Sequence, residues 1–383
     1  MNLYEFEGKA LFAKHGLVIP QGVVVRPGEN YAEKYQQLGI IDVVVKAQIL
    51  SGKRGKNNGI KFCSSTEEVV VACTELFANE IKGLRVTAVL IEEKIQIAEE
   101  HYCSIVYDTN SKQPTLIYSR QGGMDIEDVP ENDLVRVPLD IRTDIVPNAE
   151  VPVDIAQKLY AVFKTEDTRV VEINPLVKTV EGKWVAADAK IALDDDAFYS
   201  HKEWEALEPR TLLGRAPTER EILVKKIDEG ENYYRGTAGK YVELDGDIGL
   251  ILNGGGASIA NMDALISVGL KPANYTEYSG NPPREKVFEL AKIVLSKPGL
   301  KGLWMCGVVA NFTNIKDTFM GIVDALDEIK PTYPIVVRRD GPESAEAKQL
   351  MLECAERNHL QLQWFGKETP MAYTAQVLAD LIK

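Results

Sequence analysis

The chain of 383 residues is sparing with the residue types that build extracellular frames and metal ribbons. It has five cysteines, four histidines and four tryptophans. The cysteines (Cys63, Cys73, Cys103, Cys306, Cys354) are odd in number and scattered, and they form no C-x-x-C pair. That pattern excludes a disulfide framework or a zinc ribbon and reads as reduced thiols in a cytoplasmic protein. No apolar run reaches membrane-spanning length. The opening Met-Asn-Leu-Tyr-Glu-Phe-Glu has neither a basic flank nor an apolar centre, so no secretory signal is expected. Positive charge is also in deficit. A net charge of −13 argues against a general nucleic-acid binder. Any anionic ligand must therefore be held by local basic groups and backbone N–H donors against the overall field. The chain has no G-x-x-x-x-G-K-[ST] phosphate loop, no internal repeat and no low-complexity tract.

What is present points to two or three domains, given the length and an ordinary globular balance of 45% hydrophobic and 26% charged residues. Residues 1–20 read as a helix, with Leu3, Phe6, Ala10, Leu11 and Phe12 at roughly helical spacing, stopped at Gly16 before Pro20. Short β-branched runs then alternate with helical stretches: residues 43–45 and 86–91 as strands, and 66–82 as an amphipathic helix. Val170-Val171 and residues 184–187 read as the arms of a hairpin around Glu181-Gly182. This order predicts an α+β region over residues 1–200, with a smaller subdomain at about 21–92. Residues 201–244, rich in acidic residues, proline and glycine, read as a connector. From 245 to 383 the rhythm becomes strand–loop–helix: strands at 249–252, 302–305, 335–337 and 360–365, and helices at 258–268, 314–329, 343–357 and from 369. Such units predict a doubly wound, flavodoxin-like parallel sheet.

In an open parallel sheet, ligands sit beyond the carboxyl ends of the strands. Three loops occupy that edge. Asn253-Gly254-Gly255-Gly256-Ala257-Ser258 lets a backbone approach a ligand and offers free N–H groups at a helix start. Residues 306–314 add hydroxyl and amide groups through Asn311 and Thr313. Val337-Arg338-Arg339-Asp340-Gly341-Pro342 sets paired arginines directly after a strand, where a guanidinium grips a carboxylate by two parallel hydrogen bonds. Singly, each is ordinary: a tight turn, an N-cap, a surface charge. Together they predict a polyanionic ligand.

In the first half, Lys46 ends the strand at 43–45, and Ser51-Gly52-Lys53-Arg54-Gly55-Lys56 follows as a glycine-bearing basic loop suited to covering phosphates. Glu172-Ile173-Asn174-Pro175 closes one strand, and Asp188 lies near the end of the next. If those arms pair, Asn174 and Asp188 face one another. A carboxylate plus an amide oxygen suits Mg²⁺, which takes a few protein oxygens and keeps the rest for water and phosphate.

The opening Met1-Asn2-Leu3-Tyr4-Glu5-Phe6, Val45-Lys46, Gly52-Lys53-Arg54-Gly55-Lys56, and Glu172-Ile173-Asn174-Pro175-Leu176 through Asp188 resemble the β subunit of the succinyl-CoA synthetase family. That subunit is an ATP-grasp domain joined to a ligase domain, and ATP-citrate lyases share the pattern in their N-terminal part. The resemblance spans nearly the whole chain. It implies that Lys46 and the loop Lys53, Arg54, Gly55 and Lys56 hold the phosphates of ATP, and that Glu92 and Glu100 lie near the hinge that cradles base and ribose. It also implies that Asn174 and Asp188 bind Mg²⁺, and that Glu172 supports a phosphohistidine brought by a partner. One departure, Ser51-Gly52 where the synthetases usually have paired glycines, leaves ATP against GTP open.

The second half is similar to the ATP-citrate lyases through Gly254 to Ser258, Asn274-Tyr275-Thr276-Glu277-Tyr278-Ser279-Gly280, Ala310-Asn311-Phe312-Thr313-Asn314 and residues 337–342. By that pattern citrate is bound by Gly280, Asn311, the Phe312 backbone, Thr313 and Arg339, with N–H groups from Gly255, Gly256 and Ala257. The implied reaction is ATP-driven phosphorylation of a histidine, phosphoryl transfer to citrate, and attack by CoA to give citryl-CoA, then acetyl-CoA and oxaloacetate. His15, His101, His201 and His359 all lack the Gly-His-Ala-Gly type context of the phosphorylated residue. The resemblance therefore implies a partner subunit carrying that histidine, the CoA site and a citryl-CoA lyase module. A succinyl-CoA synthetase β subunit, a citryl-CoA synthetase subunit without cleavage, and a non-catalytic metabolite-binding regulator remain open alternatives.

Overall fold

The computed structural model describes residues 1–52, 54–147, 150–208, 210–211, 215–229 and 235–383. The chain divides into two compact units, Met1–Ala216 and Pro217–Lys383. The expected connector over 201–244 is thus not a separate segment. Its second half belongs to the later unit as a helix, Glu219–Lys225, and an edge strand, Thr237–Glu243. Only Ala238 and Tyr241 of that strand are buried and it has no apolar run, which is why composition alone read it as linker.

Among the described residues the first unit holds two larger antiparallel sheets and a two-stranded one, Glu80–Ile81 with Leu84–Arg85. The four-stranded sheet has the order Gly22–Val25, Ala88–Glu93, Val43–Gln48, Ile60–Cys63. Helices Tyr31–Leu38 and Thr66–Ala78 cover it; Asn30 and Ser65 cap them by accepting from the N–H of Glu33 and Glu68. The central strand shows how period-two geometry sorts its residues. Val43, Val45 and Ala47 enter the apolar core with Val89, Ile91, Val69 and Cys73. Lys46 and Gln48, also buried, turn to the other face and meet helix Glu5–Lys14.

The larger sheet is built around the long strand Thr168–Thr179, which pairs with Ile97–Asp108 on one side. On the other side it pairs twice: Leu176 opposite Ala186 of Trp184–Ala186, and Glu172 opposite Lys190 of Lys190–Leu193. The hairpin expected between 170–171 and 184–187 is corrected accordingly. Trp184–Ala186 pairs with 176–178, and Val171 faces Ile191 beyond a break at 187–189. Gln113–Ser119 and Val135–Pro138 complete the sheet. Helix Val153–Thr165 lays Ile155, Ala156, Leu159, Tyr160, Val162 and Phe163 onto it as one stripe.

The second unit is a six-stranded sheet. Its parallel strands, in chain order Ile248–Asn253, Asn274–Ser279, Gly302–Val309, Ile335–Asp340 and Leu362–Phe365, lie side by side in the order 2-1-3-4-5, and Thr237–Glu243 joins the outer edge antiparallel. This is the flavodoxin-like order, whose ligands bind where strands 1 and 3 part. Alternate residues feed two cores. Ile251, Leu303, Met305, Ile335 and Val337 join helices Arg284–Leu295, Ile315–Ile329 and Ser344–Asn358. Leu250, Leu252, Trp304 and Val336 join helices Gly255–Ser267 and Met371–Ile382. Burial on both faces is the reason these strands are continuously hydrophobic. Among the described residues no helix is long and apolar enough to cross a membrane.

Candidate functional site

Two sites emerge, one in each unit. In the first, six charged side chains from distant parts of the chain close a buried network. Glu5 is its hub. One carboxylate oxygen takes Lys9 at 2.8 Å and Lys46 at 3.0 Å; the other takes Arg54 at 2.5 Å and the Gln48 amide at 3.2 Å. Glu92 bridges Lys9 at 2.5 Å and Lys46 at 2.6 Å. Arg54 reaches on to both oxygens of Asp188, at 2.8 and 2.9 Å. Lys46 also donates to the Ala187 carbonyl at 2.8 Å, inside the break of the larger sheet. Three cations thus face three carboxylates. Burial alone would raise Glu5, yet Arg54, Lys46 and Lys9 hold it well below the usual carboxylate range. Burial would lower Lys46 and Arg54, but the carboxylates around them (Glu5 and Glu92 for Lys46, Asp188 and Glu5 for Arg54) raise both above their ordinary values.

Among the residues singled out in sequence, Lys46, Arg54, Glu92 and Asp188 come together here. Glu5, Lys9 and Gln48 were not singled out. The stripe expected on the first helix was Leu3, Phe6, Ala10, Leu11 and Phe12; the helix instead buries Glu5, Gly8, Lys9 and Phe12, and Ala10 is exposed. An apolar periodicity cannot find a face whose buried members are an ion pair. The signal that was available is the i, i+4 spacing of Glu5 and Lys9.

Asn174 lies where the two paired segments place it across from Asp188, since Leu176 faces Ala186 and Glu172 faces Lys190. Its amide accepts from Gly123 N–H at 2.8 Å and donates to the Met124 carbonyl at 2.9 Å. Gly122 donates to the Glu100 carbonyl at 2.9 Å and packs so closely on the His101 backbone that no side chain fits there. Glu100 therefore sits by this segment, on a different strand from Glu92. The Glu172 carboxylate accepts from Tyr102 Oη at 3.2 Å and Lys190 Nζ at 3.3 Å. Gly55 and Lys56 form a short 3₁₀ turn, with the exposed Lys56 3.1 Å from Asp125. Lys53 lies outside the described residues.

In the second unit, the expected residues gather at the carboxyl ends of adjacent strands. Gly255, Gly256 and Ala257 form the first turn of their helix, entered through Gly254 at φ 83°. Gly280 follows the neighbouring strand; Asn311, Phe312 and Thr313 follow the third, with Thr313 buried and Phe312 exposed. The loops are tied together: Asn314 N–H donates to Asn281 Oδ1 at 2.8 Å, and Ala310 N–H to the Asp340 carbonyl at 2.8 Å. The two arginines, expected just past a strand, lie within Ile335–Asp340, and they differ sharply. Arg338 spends its guanidinium on the carbonyls of Gly307, Thr369 and Lys367. Arg339, 2% exposed, donates from Nη1 to the Val308 carbonyl, while Nε and Nη2 have no partner. Among the described residues no carboxylate forms a salt bridge with it. It borders a small recess with Ile251, Asn253, Tyr278, Met305 and Phe319. Burial pushes its pKa below the ordinary arginine value. Asn253 and Glu277 also belong to this edge. Asn253 donates to the Tyr278 carbonyl at 2.8 Å, and Glu277, held by Tyr275 at 2.7 Å and Lys240 at 3.1 Å, lies against Gly255.

A unit with a buried Lys–Arg–carboxylate network, followed by a flavodoxin-like unit with a glycine-rich turn and a buried arginine at its strand ends, has the form of an ATP-grasp ligase subunit of the acyl-CoA ligase class. Residues 2–178 match the ATP-grasp domain family, and residues 215–379 match the family described as ATP citrate lyase citrate-binding. The chain is 34% identical over 374 residues to the succinate–CoA ligase [ADP-forming] subunit beta of Desulfurococcus amylolyticus, covering 92% of this chain and 94% of that one. It is likewise 34% identical over 377 residues to that of Methanocaldococcus jannaschii, with the same coverage. The chain belongs to this family of ATP-grasp CoA ligase β-type subunits. Among solved structures it is similar, over 99% of both chains, to ATP citrate lyase from Methanothrix soehngenii in complex with citrate and coenzyme A, with a TM-score of 0.79 and 25% identity.

Proposed function

We propose that this chain is the nucleotide- and citrate-binding subunit of an ATP-citrate lyase. With Mg·ATP it phosphorylates a histidine of a partner subunit and holds citrate for conversion to citryl phosphate and citryl-CoA. The observation that carries the citrate half is Arg339: a buried guanidinium with two unpaired N–H edges at the strand 1–strand 3 parting. A cation taken from water without a counter-charge is costly, and a ligand carboxylate supplies what the site lacks. The first-turn N–H groups of Gly255, Gly256 and Ala257, with Gly280, Asn311, the Phe312 backbone and Thr313, add donors for the further carboxylates. Similarity of residues 215–379 to the citrate-binding family supports the same choice of acid.

In the first unit the donors fit a hard divalent cation. Asp188 and Asn174 would offer a carboxylate and an amide oxygen, and both lie between the paired positions Leu176–Ala186 and Glu172–Lys190. Together they would hold Mg²⁺, which would supply positive charge against the negative charge of the phosphates. Lys46 and Arg54, with Lys53, Gly55 and Lys56 from the same loop, neutralise the phosphates, and Glu92 and Glu100 border the base and ribose. Glu172, steadied by Tyr102 and Lys190, accepts a hydrogen bond from the arriving imidazole. The imidazole nitrogen takes the γ-phosphoryl as the β–γ P–O bond breaks. A citrate carboxylate then takes it and frees the histidine, and the CoA thiolate displaces phosphate from the acyl carbon.

The four histidines support an external phosphoryl carrier. His15 pairs with Glu166, His101 is sandwiched against Tyr118 and Trp184, His201 bridges Asp167 and Glu203, and His359 caps a helix. The CoA site and the cleavage module belong, on this reading, to the same partner, and the assembly works in the cytoplasm. The 34% identity to succinate–CoA ligases favours succinate as the second reading. Calorimetric titration with citrate and with succinate tests the two: citrate binding that is lost in Arg339→Met is expected, and binding of succinate alone overturns the proposal.

A further inference from the structure

The Arg54–Asp188 pair joins a side chain assigned to the phosphates with one assigned to the metal. We infer that Arg54 stands in for the divalent cation in the nucleotide-free protein, and that Mg·nucleotide binding exchanges the two. Asp188 passes from Arg54 to the metal while Arg54 passes from Asp188 to a phosphate. This inference rests on the reading of the first unit given above and goes beyond it, because it makes metal and guanidinium competitors for one carboxylate.

The geometry gives four reasons. First, Arg54 Nη2 takes both oxygens of Asp188, at 2.8 and 2.9 Å, so the carboxylate edge that a metal needs is covered. Second, Arg54 has a separate anchor. Its Nη1 is held by Glu5 at 2.5 Å and the Ala47 carbonyl at 3.3 Å, so Nη2 can leave Asp188 without freeing the whole side chain. Third, the network is balanced at three cations to three carboxylates. Metal arriving alone would add positive charge among buried cations, whereas metal arriving with phosphate keeps the balance. Fourth, Arg54 anchors the basic loop. Its carbonyl accepts from Asn57 and Gly59, so the exchange takes place at the base of the segment that carries Gly55 and Lys56. The consequence is ordered loading: free divalent cation binds poorly, and the metal–nucleotide complex binds as a unit.

The decisive measurement is binding of Mn²⁺, as a paramagnetic probe of the metal site, to the full chain with and without ATP, read by electron paramagnetic resonance of the free ion. In Arg54→Gln, Mn²⁺ alone should bind more tightly than in wild type, by about tenfold, while Mn·ATP binds more weakly. Arg54→Lys keeps the charge next to Glu5 but reaches Asp188 with a single ammonium, and its Mn²⁺ affinity should fall between the two. This variant preserves the test if Arg54→Gln does not fold. Asp188→Asn should abolish the gain when combined with either substitution. Mn²⁺ affinity that is unchanged or weaker in both Arg54 variants overturns the exchange. Failure of wild type to bind Mn·ATP at all overturns the nucleotide reading beneath it. A wild type that binds Mn·ATP, with no gain in the variants, sinks the exchange alone.

Discussion

Arg339 donates from Nη1 to the Val308 carbonyl and lies beside Tyr278, while its Nε and Nη2 have no hydrogen-bond partner among the described residues. The bond ties the fourth parallel strand to the third at the register shift between Cys306 and Val309, beyond which Val309 pairs with Asp340.

Replacing Arg339 by methionine should therefore raise stability and abolish citrate binding at once. An apolar side chain of similar length removes the unpaired charge, worth on the order of 1 kcal/mol in favour of the folded state. Thermal denaturation without ligand checks the first effect; titration with citrate checks the second. A lower melting temperature in Arg339→Met would mean that the guanidinium is held by more than Val308.

In the first unit the sign reverses, because every charge there is paired. Lys46→Met leaves three carboxylates, Glu5, Glu92 and Asp188, facing only Lys9 and Arg54, and should cost about 3 kcal/mol with loss of nucleotide binding. Adding Glu5→Gln restores the charge balance. The double variant should recover part of the stability and none of the nucleotide binding. A double-mutant cycle from urea denaturation, with ATP titrations in parallel, measures both.

Glu243 offers a pH test confined to the second unit. Burial would raise its pKa, but Arg220, Lys297 and Tyr241 bring it down to about 2. A carboxylate whose folded pKa is depressed contributes stability above its unfolded value, about 4.3, and loses it as pH falls through the folded one. Stability of this unit should fall as pH goes from about 4.5 to about 2, and Glu243→Gln should flatten that slope while lowering stability at neutral pH. Melting curves across this window, wild type against variant, decide it.

Glu172 is predicted to matter for phosphoryl transfer and not for nucleotide affinity. Glu172→Gln, assayed with the partner subunit by labelled phosphohistidine formation, should slow the transfer by about 10²-fold, with unchanged ATP binding. Tyr102→Phe removes one donor to the Glu172 carboxylate and should give a smaller loss of the same kind. Equal loss of ATP binding in either variant would place these residues with the nucleotide instead.

The doubly wound sheet was legible because buried parallel strands must be apolar on both faces and their helices start at glycine or capping residues. Ile248–Asn253, Gly302–Val309 and Ile335–Asp340 announce themselves that way. Loops after such strands were open to inspection for the same reason, which brought the Gly-rich turn and the arginine pair into view. Sequence could not say which arginine was free: Arg338 and Arg339 are adjacent, and only the pleat of the strand sends one to the Gly307, Thr369 and Lys367 carbonyls and the other toward the parting of the strands. Nor could it place Glu5, whose partners Lys46 and Arg54 lie 41 and 49 residues along the chain. Local periodicity and turn chemistry act over a few residues, so they specify elements and the loops between them. The neutralisation of a buried carboxylate by a distant lysine is decided only when the sheets close.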